Sequence, residues 1–68
     1  MVDTQKIQTR MKERKITQVR LAERLGLAKA TVSQKLNNVR PMFLDEAEAI
    51  CEALEIPDDE FGAYFFKQ

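Results

Sequence analysis

The chain has 68 residues, 44% of them hydrophobic and 32% charged, with a formal net charge of zero; this length favours one compact domain, over residues 1–68, with a modest core and no deep substrate cavity. Because there is no histidine, no glycine-rich phosphate loop and only one cysteine, Cys51, the composition argues against an enzyme, a structural metal and an internal disulfide, and we expect no cofactor. The chain has neither an apolar run of about 20 residues nor a signal-peptide pattern, so we expect a cytoplasmic protein without a membrane role.

Two helices in the first part of the chain are marked by residues that start and stop helices. An oxygen-bearing side chain at Asp3 or Thr4 can cap the first helix, which we expect to end near Lys15. The second helix begins after Thr17, a second capping residue, and stops at Gly26. The second helix is therefore short.

The third and fourth helices are predicted from apolar spacing. In the run AKATVSQKLNN, Val32 and Leu36 lie on one face, and the asparagines at 37–38 can end the helix because Asn tolerates the left-handed conformation. The segment VRPMF is predicted to be a loop. The fourth helix opens at Leu44, continues as an apolar stripe at three- and four-residue steps, and is broken by Pro57.

The aromatic tail, residues 61–68, is the least regular segment. One or two helical turns are possible there, but Gly62 weakens a helix, and the aromatics also suit a strand or a docked arm. Within six residues the tail carries four large apolar side chains: Phe61, Tyr64, Phe65 and Phe66. Two interpretations stay open, since these side chains either all cap the core of one subunit or partly bury against a partner subunit.

The second and third helices have the spacing of a helix-turn-helix, in which one helix braces against the DNA backbone and the next enters the major groove. Ala22 allows close helix approach, Gly26 suits the turn, and Val32 packs underneath. Four residues of the third helix face outward and can contact base edges: Lys29, Ala30, Thr31 and Gln34. Lysine can donate to guanine, glutamine can pair with adenine, and a methyl group can contact thymine. In the alternative interpretation these are ordinary solvated helix residues.

Charge is divided unevenly along the chain. Through Phe43 there are ten basic and three acidic residues, a net charge of +7, whereas the remainder has one basic and eight acidic residues, a net charge of −7. Only the basic half can approach phosphates favourably. Most basic residues of the first helix are expected to be simply solvated, with Arg14 and Lys15 the better candidates for attraction to a duplex.

The stretch TQVRLAERLGLAKATVSQKLNNVRP resembles the phage Cro and repressor (Xre-like, lambda-repressor-like) helix-turn-helix family, and FLDEAEAICEALEIPDDEF resembles the fourth and fifth helices of that family's domain. The resemblance implies an all-α, compact five-helix domain whose helices 2 and 3 form the helix-turn-helix. It also implies a sequence-specific regulator of transcription that binds double-stranded DNA. A Cro-like phage or prophage repressor would act as a homodimer on a palindromic operator, in a bacterial host and on its nucleoid.

The resemblance also assigns roles to positions. Gln18 would bind a phosphate at the start of the second helix, while Lys29, Ala30 and Gln34 would read bases. Other residues expected to bind phosphate, or to lie close to it, are Thr17, Ser33, Lys35, Asn37, Asn38 and Arg40. Dimers of relatives form through the end of the domain, where the candidates are Phe43, Phe61, Tyr64, Phe65 and Phe66. Ala28 departs from the family, in which Ser or Thr usually caps the recognition helix.

Three other functions remain as alternatives. The chain can be a protein-binding module, such as an antirepressor or an adaptor, that kept the fold and lost its DNA contacts. It can also be an antitoxin, or the DNA-binding fragment of a longer repressor. The basic first half and the outward Lys29 and Gln34 favour DNA binding, and among DNA-binding proteins we favour a self-contained Cro-like regulator.

Overall fold

A computed structural model describes residues 1–67, which form five α-helices and one short 3-10 turn. The helices are α1 (Thr4–Arg14), α2 (Gln18–Leu25), α3 (Lys29–Leu36), α4 (Leu44–Leu54) and α5 (Phe61–Phe65), and the turn is Asp58–Glu60. No strand occurs in this part of the chain. The predicted all-α, five-helix fold is confirmed.

The first two helices begin at the predicted caps. The Asp3 carboxylate accepts a hydrogen bond from the Lys6 N–H at 3.1 Å, and the Thr17 hydroxyl accepts one from the Arg20 N–H at 3.3 Å. Gly26 ends α2 in the left-handed conformation, with φ 68°, which glycine adopts without a Cβ penalty. These residues therefore fix the start of α1 and both ends of α2.

Helix α3 has no side-chain cap at its start, but hydrogen bonds hold its C-terminal end. Its N-cap, Ala28, makes no side-chain cap hydrogen bond. After the helix, Asn38 takes the predicted left-handed conformation, with φ 63°. Its carboxamide accepts from the Val2 N–H at 2.8 Å and donates to the Val2 carbonyl at 2.9 Å, while the Thr4 hydroxyl donates to the Leu36 carbonyl at 2.5 Å. The first residues of the chain therefore brace the end of α3.

The core lies where α2 packs against α3 and α4, and where α1 contacts α4 and α5. Its most completely buried side chains come from four helices: Ile7, Leu21, Val32, Leu36, Ile50 and Leu54. Cys51 is buried beside them, as predicted for a small apolar residue. Burial, assisted by the charges of Asp58 and Glu48, raises the pKa of the Cys51 thiol to about 11, so the thiol stays protonated at neutral pH.

The aromatic tail is helical, and it contributes to the core of its own chain. Tyr64 and Phe65 are buried, so the prediction that they lie in a dimer interface is corrected: both rings are already covered within one subunit. Phe61 is half-buried, with its ring centroid 5.1 Å from that of Phe65 and 5.5 Å from that of Phe66. Phe66 is exposed. Gln68, the last residue of the tail, lies outside the described residues.

None of the helices in residues 1–67 combines the length and the apolar character that crossing a membrane requires.

Candidate DNA-binding surface

The turn between α2 and α3 is tight because its backbone hydrogen bonds reach back into α2. The Gly26 N–H donates to the Glu23 carbonyl at 3.3 Å, and the Leu27 N–H donates to the Ala22 carbonyl at 3.0 Å. Ala22 is buried, and Val32 of α3 is buried beside it in the core. Ala22 therefore lies buried in the core, Gly26 forms the left-handed turn, and Val32 anchors α3 in the core.

One side of α3 is seated in the core, and the other faces solvent. Val32 and Leu36 are each only 1% exposed, whereas Lys29 and Ala30 are exposed at the start of the helix. Thr31, Ser33 and Gln34 are half-buried. Within residues 1–67, the side chains of Lys29, Thr31 and Gln34 make no hydrogen bond to the protein. Their polar groups are therefore available to an external partner.

The start of α2 carries the two residues predicted to bind phosphate there. Thr17 is exposed and Gln18 is half-buried at the first position of the helix. The first N–H groups of a helix lack intrahelical acceptors, and the helix dipole places partial positive charge beside them. Such a helix end favours an anion, and it carries Gln18 as an additional donor.

Three more predicted phosphate contacts lie near the end of α3. The Asn37 amide donates to the Ser33 carbonyl at 2.8 Å and lies 3.5 Å from the Ser33 hydroxyl, so these two side chains position each other. Arg40 is exposed, and its backbone N–H donates to the Gln34 carbonyl at 3.2 Å. Arg40 therefore follows α3 closely, and it is exposed to solvent.

Lys35 does not fit the phosphate role that the sequence suggested. Its ammonium lies 2.8 Å from a carboxylate oxygen of Glu46 and 3.1 Å from the carbonyl of Pro41, and it sits 4.3 Å from the ring centroid of Phe43. The side chain is buried, so its charge is satisfied inside the protein. Asn38 is exposed, and its carboxamide makes two hydrogen bonds to the backbone of Val2.

The Glu46 carboxylate accepts hydrogen bonds from two donors at the start of α4. The carboxylate oxygen that binds Lys35 also accepts the Phe43 N–H, at 2.9 Å. Burial acts to raise the pKa of this carboxyl, but the hydrogen bonds from Lys35 and Phe43, together with the Lys35 charge, lower the pKa of Glu46 below its ordinary value. Glu46 is therefore ionised at neutral pH and links α3 to α4.

Ion pairs to α4 and its C-cap neutralise part of the basic first half. Arg14 pairs with Glu55. Arg24 pairs with Glu52 at 2.9 Å, and Lys35 pairs with Glu46. Four cations of this half make neither an ion pair nor a contact with an aromatic ring within residues 1–67. They are Lys12, Lys15, Lys29 and Arg40.

An exposed apolar surface, called here the apolar face, lies around the loop after α3. Its members are Met1, Val39, Phe43, Leu44 and Phe66. Met1, Val39 and Phe66 line one surface groove, and Leu44 and Phe66 line another. Sequence reasoning placed Leu44 in the core stripe of α4, but this first residue of the helix is 63% exposed. Val39 and Met1 were missed because neither belongs to a periodic pattern.

Two short helices joined by a glycine turn, the second seated by an apolar stripe and presenting free polar groups, define a helix-turn-helix DNA-binding domain. The model of the family described as the Cro/C1-type HTH DNA-binding domain matches residues 6–61, and the chain belongs to this family. It is a family of DNA-binding regulators and not a class of enzymes. Neither the curated proteins nor the solved structures give a significant match to the chain.

Proposed function

We propose that this DNA-binding regulator is a Cro-like repressor of a phage or prophage, which binds a palindromic operator as a homodimer and blocks transcription by occupying a promoter. The observation that carries the proposal is the outward side of α3. Lys29 and Gln34 have unengaged polar groups on a helix whose opposite side is anchored by Val32 and Leu36. A helix held in this way can enter the major groove without reorganising.

In this proposal α3 reads the base sequence and the residues around it set the register on the duplex. Lys29 donates to guanine O6 or N7, and Gln34 pairs with adenine N6 and N7. Ala30 and Thr31 contact thymine methyl groups. The proposed phosphate contacts are Thr17, Gln18, Ser33, Asn37, Asn38 and Arg40.

The partner proposed for the apolar face is a second copy of this chain. Met1, Val39, Leu44 and Phe66 line two grooves that share Phe66, and exposed apolar patches of this kind commonly mark an interface. Phe43 and Phe66, expected in the interface from the sequence, belong to this face, and Phe61 lies at its edge against Phe66. The face begins directly after α3, and the molecule measures 28 × 24 × 20 Å. In this proposal a twofold axis at the apolar face sets the two α3 helices about 34 Å apart, one turn of DNA.

Dimerisation through the apolar face is tested by sedimentation without DNA. Leu44→Glu places a charge in the face and adds an acidic residue to the first turn of α4, where the helix dipole favours negative charge. Val19→Glu is the matched control, because Val19 is also exposed and also lies in a first turn, that of α2. We expect Leu44→Glu to weaken the dimer at least tenfold and Val19→Glu to leave it unchanged. Equal effects would contradict this interface.

The regulatory function is tested by selecting random duplex DNA with the purified protein and sequencing the enriched pool. A palindromic motif, bound with steep salt dependence, is the expected result. A single half-site would support base reading but contradict the homodimer. No enrichment would contradict the whole proposal and favour a protein-binding module.

A further inference from the structure

Of the free cations near the start of α2, Lys12 has no role so far, and Lys15 is expected only to add to attraction toward a duplex. Arg10 and Arg14 of α1 both turn toward the end of α4: Arg10 donates to the Leu54 carbonyl at 2.9 Å and to the Glu55 carbonyl at 2.5 Å, and Arg14 pairs with Glu55. Lys12, which lies between them in sequence, makes none of these contacts. Arg10 and Arg14 therefore connect α1 to the end of α4, whereas Lys12 makes no such connection.

Lys12 and Lys15 lie together at the corner between α1 and α2. They border a surface groove that also includes Thr17 and Gln18, the residues at the start of α2. The same groove contains Met11, which is buried, and is open to solvent along its rim. Two ammonium groups thus adjoin the end of α2 that is expected to meet the DNA backbone.

Neighbouring acidic side chains do not neutralise this corner. Glu13 lies within 3.7 Å of Arg10, and Glu23 lies within 3.8 Å of Arg20. Lys15 adopts the left-handed conformation that ends α1, with φ 57°, and its N–H donates to the Lys12 carbonyl at 3.2 Å. The corner combines net positive charge with a defined backbone.

We infer that Lys12 and Lys15 bind backbone phosphates of the operator beside the phosphate held at Gln18. This inference rests on the proposed DNA binding and deepens it. Charge complementarity and continuity with Thr17 and Gln18 identify the ligand as the phosphodiester backbone of the duplex. Contacts of this kind set register and add affinity without reading sequence.

The test compares the salt dependence of operator binding for three proteins: the wild type, the double variant Lys12→Gln/Lys15→Gln, and Arg14→Gln as the control. Arg14→Gln removes a charge from the same helix, but that charge already pairs with Glu55. Each phosphate contact contributes about 0.9 to the slope of log affinity against log salt, so losing two contacts in both subunits reduces the slope by about 3.6. Arg14→Gln is expected to leave the slope unchanged.

A second measurement locates the contacts. Ethylation of the phosphates touched by Lys12 and Lys15 blocks binding of the wild type, and we expect the double variant to become insensitive at those positions. If all three proteins share one slope, or if the control changes it as much as the double variant, the inference is overturned while DNA binding stands. If the wild type selects no DNA, the proposed function fails as well.

Discussion

Lys35 Nζ lies 2.8 Å from Glu46 Oε1, and this contact joins the recognition helix to α4 across the intervening loop. The two side chains are only 8% and 12% exposed. The carboxylate oxygen also accepts the Phe43 N–H, and the ammonium also donates to the Pro41 carbonyl, so both charges have additional partners. The pair therefore positions the segment that leads from α3 into the apolar face.

Breaking this pair at one side should be more damaging than replacing both partners. Lys35→Met leaves the largely buried Glu46 carboxylate without its cation, and we expect the free energy of unfolding to fall by about 3 kcal/mol. Lys35→Met/Glu46→Leu removes the uncompensated charge and should recover a substantial part of the loss. Urea unfolding of the wild type, both variants and Glu46→Leu gives the four free energies of unfolding for a double-mutant cycle. A double variant no more stable than Lys35→Met would contradict this account.

The same pair should contribute to stability in a pH-dependent way. Because the pKa of Glu46 is lowered in the folded protein, ionised Glu46 stabilises the fold fully above its ordinary pKa of 4.5. That stabilisation is lost as the pH falls below 4.5 and through the folded pKa. Unfolding curves from pH 7 to pH 3 should show a smaller acid-induced loss for Glu46→Gln than for the wild type. Parallel losses for the two proteins would show that Glu46 is not responsible.

The start of the recognition helix can be strengthened by a cap. Ala28 makes no cap hydrogen bond but has extended backbone angles, φ −71° and ψ 149°, which suit an N-cap. Ala28→Ser should therefore raise the free energy of unfolding by about 1 kcal/mol. Thr17→Ala, which removes an existing cap hydrogen bond from α2, should lower it by about the same amount. Denaturant unfolding measures both, and a destabilised Ala28→Ser would contradict the inferred cap geometry.

The helices whose signals are local could be predicted from the sequence. Asp3, Thr17 and Gly26 act within a few residues of themselves, so their cap and turn chemistry predicts helix ends correctly. The aromatic tail was ambiguous because a five-residue helix has too little periodicity to reveal which side faces the core. The burial of Tyr64 and Phe65 depends on the other helices that enclose them.

The outward residues of α3 could be predicted from the sequence because helix geometry determines which side chains are exposed. The Val32 and Leu36 stripe indicates which side of α3 faces solvent, and Lys29 lies there as predicted. Lys35 was misassigned because its burial depends on Glu46, eleven residues away and on another helix. A lysine in a basic run does not reveal such a partner before the chain folds.

The central claim, that α3 reads base sequence, is tested most directly by measuring affinity for every single-base change of the selected operator. The wild type, Lys29→Ala, Gln34→Ala and Gln18→Ala are compared. We predict that Lys29→Ala and Gln34→Ala each lose about 1 to 3 kcal/mol of binding free energy and relax discrimination at different base pairs. Gln18→Ala should weaken all sequences about equally. Unchanged base preferences in both α3 variants would contradict recognition by this helix.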